Sequence, residues 1–335
     1  MRKQIITRYL DNIPFTSLIL KYDYYIERKL QKRLKGDNSS HINRLYVISK
    51  DQVLVGDNMG YLKLINLITG DRQSFNRQHI FYRFELLNSS RIVAVHSGDL
   101  IKIWGLENFI TPQYVFKSDD KYIATLPNNK FILYGSNKDI TIWDVQGPIV
   151  TLKGHNREIT CFAVMGNKLI SGAFNDELKI WNLETEELEE NLKGHTKRIN
   201  TIAVMDNLLY SGSSDTTIRI WKDKECIKVI HTGVEKILAL DKTRFISTDF
   251  DNKDINIWNI NGLKELHIRI KHNNIKLLPN NQLLIILSNG FKIWDLDTDK
   301  SVTTWSYGKS LKSFDVNILP NNKILLTIDN DLVIF

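Results

Sequence analysis

The chain has 335 residues, two cysteines and a formal net charge of +7, with 42% hydrophobic and 25% charged residues. That balance is that of an ordinary folded protein, with too many apolar residues for a disordered chain and too few cysteines for a disulfide scaffold. No run approaches the ~18 apolar residues of a helical membrane span, so no membrane partner is expected.

Residues 1–35 carry nine basic side chains against three acidic ones, six of the seven net charges. The remaining 300 residues are therefore close to neutral, and the basic pI does not mark the body of the protein as a nucleic-acid binder. Within 1–28, Ile6, Tyr9, Leu10 and Ile13 follow helical spacing, which predicts a short helical segment. Arg8 and Asp11 interrupt the apolar stretch that a signal peptide requires. An intracellular, cytoplasmic protein is expected, with Cys161 and Cys226 as free thiols in a reducing compartment.

From residue 61 onward one ending recurs: YLKLI at Ile65, LIKIW at Trp104, DITIW at Trp143, ELKIW at Trp181, TIRIW at Trp221, DINIW at Trp258, GFKIW at Trp294 and DLVIF at Phe335. The intervals run from 36 to 41 residues, and each ending alternates apolar and polar, the mark of a half-buried strand. The clearest unit is 187–221. Leu188 to Lys193, Ile199 to Met205, Leu208 to Ser211 and Thr217 to Trp221 read as four strands, with turns at Gly194-His195, Asp206-Asn207 and Ser213-Ser214-Asp215.

Gly194-His195, Ser211-Gly212, Asp215 and Trp221, in this order, resemble one unit of the WD-repeat family, in which four antiparallel strands make one blade of a β-propeller. The resemblance implies an all-β, closed propeller of four-stranded antiparallel blades, eight by this count with seven as the alternative, behind a helical 1–28. It also implies a hydrogen-bonded set of His195, Ser211, Asp215 and Trp221. In the preceding repeat His155, Ser171 and Trp181 match, but Asn175 stands where Asp is expected, with Asp176 beside it. The third repeat has Leu133 at the serine position.

The eighth repeat reaches Phe335 at the end of a third strand. Its fourth strand is expected from the other end of the chain, because Leu30 to Asp37 parallels Leu188 to His195. Residues 29–35 should then pair with 331–335 and close a propeller spanning 29–335, removing the free sheet edges. The tetrapeptides at Leu126, Leu278 and Leu319, each Leu-Pro-Asn-Asn, read as turns between first and second strands.

No phosphate loop, metal-ligand spacing or nucleophile elbow appears, so no catalytic residue, cofactor or metal is expected. Propellers of the resembled family bind partners through the loops of one face. Position by position that selects Arg198, Asn200 and Ser214 in the fifth repeat and Glu158, Thr160 and Phe174 in the fourth, with His41 and Asn43 in the first and Gly233 and Glu235 in the sixth. Phe174 is the most telling, since an aromatic side chain in a turn has no local structural use. The expected function is a non-enzymatic protein-interaction scaffold. Residues 1–28 also resemble the tail of an F-box, which would make the chain a ubiquitin-ligase substrate adaptor. The alternative is a nucleic-acid-associated protein that uses its basic N-terminal segment, with steep salt dependence.

Overall fold

Period-2 alternation and β-branched residues dominate the repeats, and every described element is a strand. The computed structural model describes residues 32–34, 42–57, 61–74, 81–88, 90–96, 99–107, 111–120, 122–135, 138–278, 281–306, 314–320, 323–328 and 331–334. There is no helix among the described residues, and the helix expected within 1–28 lies outside them.

The strands form eight four-stranded antiparallel sheets. Sheet 1 comprises Ile42–Val47, Gln52–Asp57, Leu62–Asn66 and Arg72–Ser74; sheet 2, Phe81–Asn88, Arg91–His96, Leu100–Gly105 and Tyr114–Lys117. Sheet 3 comprises Tyr122–Thr125, Phe131–Tyr134, Ile140–Asp144 and Gly147–Leu152; sheet 4, Ile159–Met165, Lys168–Ala173, Leu178–Asn182 and Leu188–Leu192. Sheet 5 comprises Ile199–Met205, Leu208–Ser213, Thr217–Lys222 and Glu225–His231; sheet 6, Lys236–Ala239, Arg244–Thr248, Asp254–Asn259 and Lys264–Arg269. Sheet 7 comprises Asn274–Leu278, Gln282–Leu287, Gly290–Asp295 and Lys300–Ser306. Sheet 8 takes Phe314–Ile318, Ile324–Ile328 and Asp331–Ile334 from one end of the chain and Lys32–Leu34 from the other. In that last pairing Lys32 faces Ile334, Arg33 faces Val333 and Leu34 faces Leu332.

Ile65 and the six tryptophans from Trp104 to Trp294 each stand on the third strand of their sheet, and Phe335 lies outside the described residues. At five of these tryptophans the third strand's register with the fourth shifts by one residue. After Ile220 faces Lys228, for example, Trp221 faces Cys226. Such a bulge adds local twist and leaves one residue unpaired. The skipped residues include Ile149, Ile227 and Val302, which accounts for three exposed aliphatic side chains on outer strands.

Turn chemistry follows the sequence. Asp206 and Asn207 both take left-handed φ, 47° and 60°, between two strands joined by two residues. In 126–130, Asn128 and Asn129 do the same, and Leu126 N–H donates to the Lys130 carbonyl, as Leu319 N–H does to Lys323.

Sheets 1, 7 and 8 form one compact unit and sheets 2 to 6 another. In each, the core is built of layers between successive sheets. Trp181 packs with Ile132, Ile142 and Leu169 between sheets 3 and 4, and Trp221 with Ile170, Ile180 and Leu209 between sheets 4 and 5. The glycine of each Ser-Gly pair is required by this approach. A Cβ on Gly172 would stand 2.6 Å from Ile199 Cγ2, and one on Gly212 would stand 2.7 Å from Val234 Cγ1.

Candidate functional site

A buried indole N–H needs an acceptor, and a buried imidazole needs one donor and one acceptor. In sheet 5 a single serine serves both. Trp221 Nε1–H donates to Ser211 Oγ at 2.8 Å, and Ser211 Oγ lies 2.8 Å from His195 Nε2. His195 Nδ1 lies 2.8 Å from Asp215 Oδ2. The donors order the chain: Trp221 gives to Ser211, Ser211 to Nε2, and Nδ1–H to Asp215. That order requires a neutral histidine, and burial does push the His195 pKa down, against the pull of Asp215. Burial alone would raise the Asp215 carboxyl, but bonds from Thr217, His195 and the Thr196 N–H hold it below its usual value.

Ser211, His195 and Asp215 thus stand in the order of a hydrolytic triad, but the chemistry does not follow. Ser211 is fully buried and its oxygen already accepts the Trp221 N–H, so no substrate atom can reach it.

Sheet 4 repeats the set with one substitution. Trp181 Nε1–H donates to Ser171 Oγ at 2.8 Å, and His155 Nε2 lies 2.6 Å from the same oxygen. The carboxylate facing His155 Nδ1, at 3.3 Å, belongs to Glu177. Neither Asn175 nor Asp176 takes that place, and Asn175 Oδ1 instead accepts the Glu177 N–H at 3.3 Å. Glu177 also accepts the Asn156 N–H at 2.9 Å and the Asn156 side-chain amide at 2.8 Å, and pairs with the buried Lys179 at 3.8 Å. Sheet 6 keeps only a Trp258 Nε1–H to Ser247 Oγ bond, at 2.8 Å. Sheet 3 has lost the serine to Leu133, and the buried Trp143 Nε1 finds no acceptor among the described residues.

Burial pushes the His155 pKa down from 6.5 to about 4, with Glu177 opposing. The unfolded chain then binds a proton near pH 6.5 that the folded chain refuses until about pH 4. Stability is therefore full above that window and falls as pH drops through it, by about 3 kcal/mol from this one group. His195, shifted the same way, adds to the loss. Urea melts between pH 8 and pH 4 are expected to show this fall, with a shallower slope in His155→Gln (range chosen to bracket the window).

The six face residues divide into two groups. Thr160 Oγ1 lies 2.5 Å from the Ile199 carbonyl and 3.0 Å from that of Gly172. Asn200 Nδ2 donates to the Val234 carbonyl at 3.1 Å, and Ser214 Oγ donates to Asn200 Oδ1 at 3.1 Å. All three are half-buried; Thr160 and Asn200 tie their sheets to the next, and Ser214 holds Asn200. Glu158, Phe174 and Arg198 are exposed. The Phe174 ring is 55% exposed, and the Arg198 guanidinium lies over it, 4.7 Å from its centre. Glu235 is exposed and its N–H donates to the Thr248 carbonyl. Cys161 is half-buried, and desolvation pushes its thiol up to about 12, which makes it a poor nucleophile. Among the described residues, no group of three or more His, Cys, Asp or Glu side chains could hold a metal ion.

The WD40 family model (WD domain, G-beta repeat) matches residues 146–182 and 186–222, the two stretches that end on the third-strand tryptophans of sheets 4 and 5. Those two stretches match WD repeats. The chain is 31% identical over 116 residues to human apoptotic protease-activating factor 1, covering 31% of this chain and 9% of that protein. It is 25% identical over 93 residues to mitochondrial division protein 1 of Schizosaccharomyces pombe, covering 25% of this chain and 14% of that protein. A BTB/POZ domain and WD-repeat protein, R783, of Acanthamoeba polyphaga mimivirus is 23% identical over 194 residues, 52% of this chain and 34% of that one. The chain thus matches only a minor part of each relative's length.

Among solved structures, the computationally designed Ika8 protein superposes with a TM-score of 0.73 at 19% identity, over 90% of this chain and 98% of that one. The WD40 β-propeller domain of Doa1 superposes with a TM-score of 0.56 at 17% identity, over 91% and 95%. At such identities the likeness shows the fold, an all-β propeller of four-stranded antiparallel blades. No helix among the described residues is long and apolar enough to cross a membrane.

Proposed function

We propose that this WD-repeat propeller is a non-enzymatic scaffold that binds other proteins through the face bearing Phe174 and Arg198. The exposed Phe174 ring under the Arg198 guanidinium carries the reading. An exposed aromatic side chain stacked with arginine adds little to the fold's own stability. It matches the aromatic and arginine anchors that dominate protein interfaces. The buried His-Ser-Trp sets below it fix the loops that present it.

The eight four-stranded sheets, with the two chain ends sharing the last, favour eight blades over the alternative seven. The F-box-like stretch lies outside the described residues. So do most of the basic side chains on which the nucleic-acid reading rests. No described residue favours either the ligase-adaptor or the nucleic-acid role over a general scaffold. The test is affinity capture at about 150 mM salt with nuclease present. Proteins held by the intact chain should be lost from a folded Phe174→Ala/Arg198→Glu variant.

A further inference from the structure

Glu158, Thr160, Phe174 and Arg198 line one wall of a cleft of about 350 Å³ within sheets 2 to 5. Its opposite wall was not foreshadowed by any motif. Arg83, from the first strand of sheet 2, lies over the Tyr122 ring of sheet 3 at 4.5 Å. Tyr122 stacks on Tyr134, 5.4 Å away. The cleft is therefore flanked by two arginine–aromatic pairs, Arg83 on Tyr122 and Arg198 on Phe174, with Tyr134 and Glu158 also lining it.

A guanidinium whose carbon sits over a ring still carries N–H donors that can meet an acceptor. Among the described residues neither Arg83 nor Arg198 forms an ion pair within 4.0 Å. Stacking has fixed both side chains in advance, which lowers the entropy lost when a ligand arrives. Burial pushes the Tyr134 hydroxyl above its ordinary pKa, so it remains an O–H donor at neutral pH. Donors thus converge from two sides on a space whose walls are aromatic.

The charge balance narrows the occupant. Among the residues lining the cleft, two guanidiniums and the Glu158 carboxylate leave one net positive charge. A monoanion balances it, whereas a phosphate dianion would overfill it and meet Glu158. A cationic side chain would meet two guanidiniums of its own charge sign.

We propose that this cleft binds an acidic segment of a partner protein, with an Asp or Glu carboxylate reaching Arg83 and Arg198 and an apolar neighbour lying on Phe174 and Tyr134. The proposal rests on the scaffold reading and names the chemistry of its partner.

Selection of a displayed library of random short peptides on the intact protein tests it. Enriched peptides should carry Asp or Glu beside an aromatic or aliphatic residue. Their affinity should fall about tenfold or more with Arg83→Gln, and equally when the peptide's acid is changed to Asn or Gln. It should rise with Glu158→Gln. Enriched peptides without an acid, indifference to Arg83→Gln, tighter binding of a phosphoserine version, or no enrichment would each overturn the proposal. Partner proteins lost with Phe174→Ala/Arg198→Glu but kept with Arg83→Gln would overturn the acidic occupant alone and leave the scaffold standing.

Discussion

Replacing Glu177 with alanine should destabilise the protein by about 3 kcal/mol or more, while Asp176→Ala stays within about 0.5 kcal/mol. Glu177 holds three groups at once: His155 Nδ1, both nitrogens of Asn156, and Lys179. The Lys179 side chain is only 6% exposed, so removing its carboxylate leaves a buried ammonium without its counter-charge. His155 would lose the acceptor that fixes its tautomer, and with it the order of the bond from Ser171. Asp176 is exposed and makes none of these bonds. Urea melts of the two variants against the parent decide the matter. Equal costs would show that the acid is shared between the positions.

Ser211→Ala should cost about 2–4 kcal/mol, more than the ~1–3 kcal/mol of Ser247→Ala. One hydroxyl in sheet 5 satisfies both Trp221 Nε1 and His195 Nε2. Its removal leaves two buried polar atoms unpartnered in a space that water cannot enter without opening the layer between sheets 4 and 5. Ser247 satisfies Trp258 alone. Because Ser211 and Ser247 lie in separate sheets and bond different residues, the double variant should show near-additive losses. Thermal and chemical melts of the three variants give the comparison. A cost for Ser211→Ala no greater than for Ser247→Ala would mean that His195 finds another partner.

The repeat endings placed the third strands because a strand buried on one side must alternate, whatever its motif residues. The strand at Lys32–Leu34 was readable for a similar reason, its sequence echoing an outer strand elsewhere. The motif logic failed where side-chain length substituted for position. Glu177 sits two residues beyond the place Asp215 holds in sheet 5, and its extra methylene lets it reach His155 from there. Ser247 was hidden by a turn one residue longer, which puts it eleven residues before its tryptophan in place of ten. Arg83 gave no signal at all. It enters the cleft from sheet 2, and only the stacking of sheets brings it near residues 158–198. Thr160 and Asn200 bond carbonyls beyond their own sheet, which could not be read from one repeat, whereas the Ser214–Asn200 bond lies within one.

The central claim is that partners bind on the face of Phe174 and Arg198. Its most direct test is quantitative co-purification with the intact chain and with Phe174→Ala/Arg198→Glu, after matching melts establish that both fold alike. The prediction is a small set of proteins that survives nuclease and disappears with the variant. Binding unchanged in the variant, or abolished by nuclease or by raised salt, would contradict it and move the function to the basic N-terminal segment.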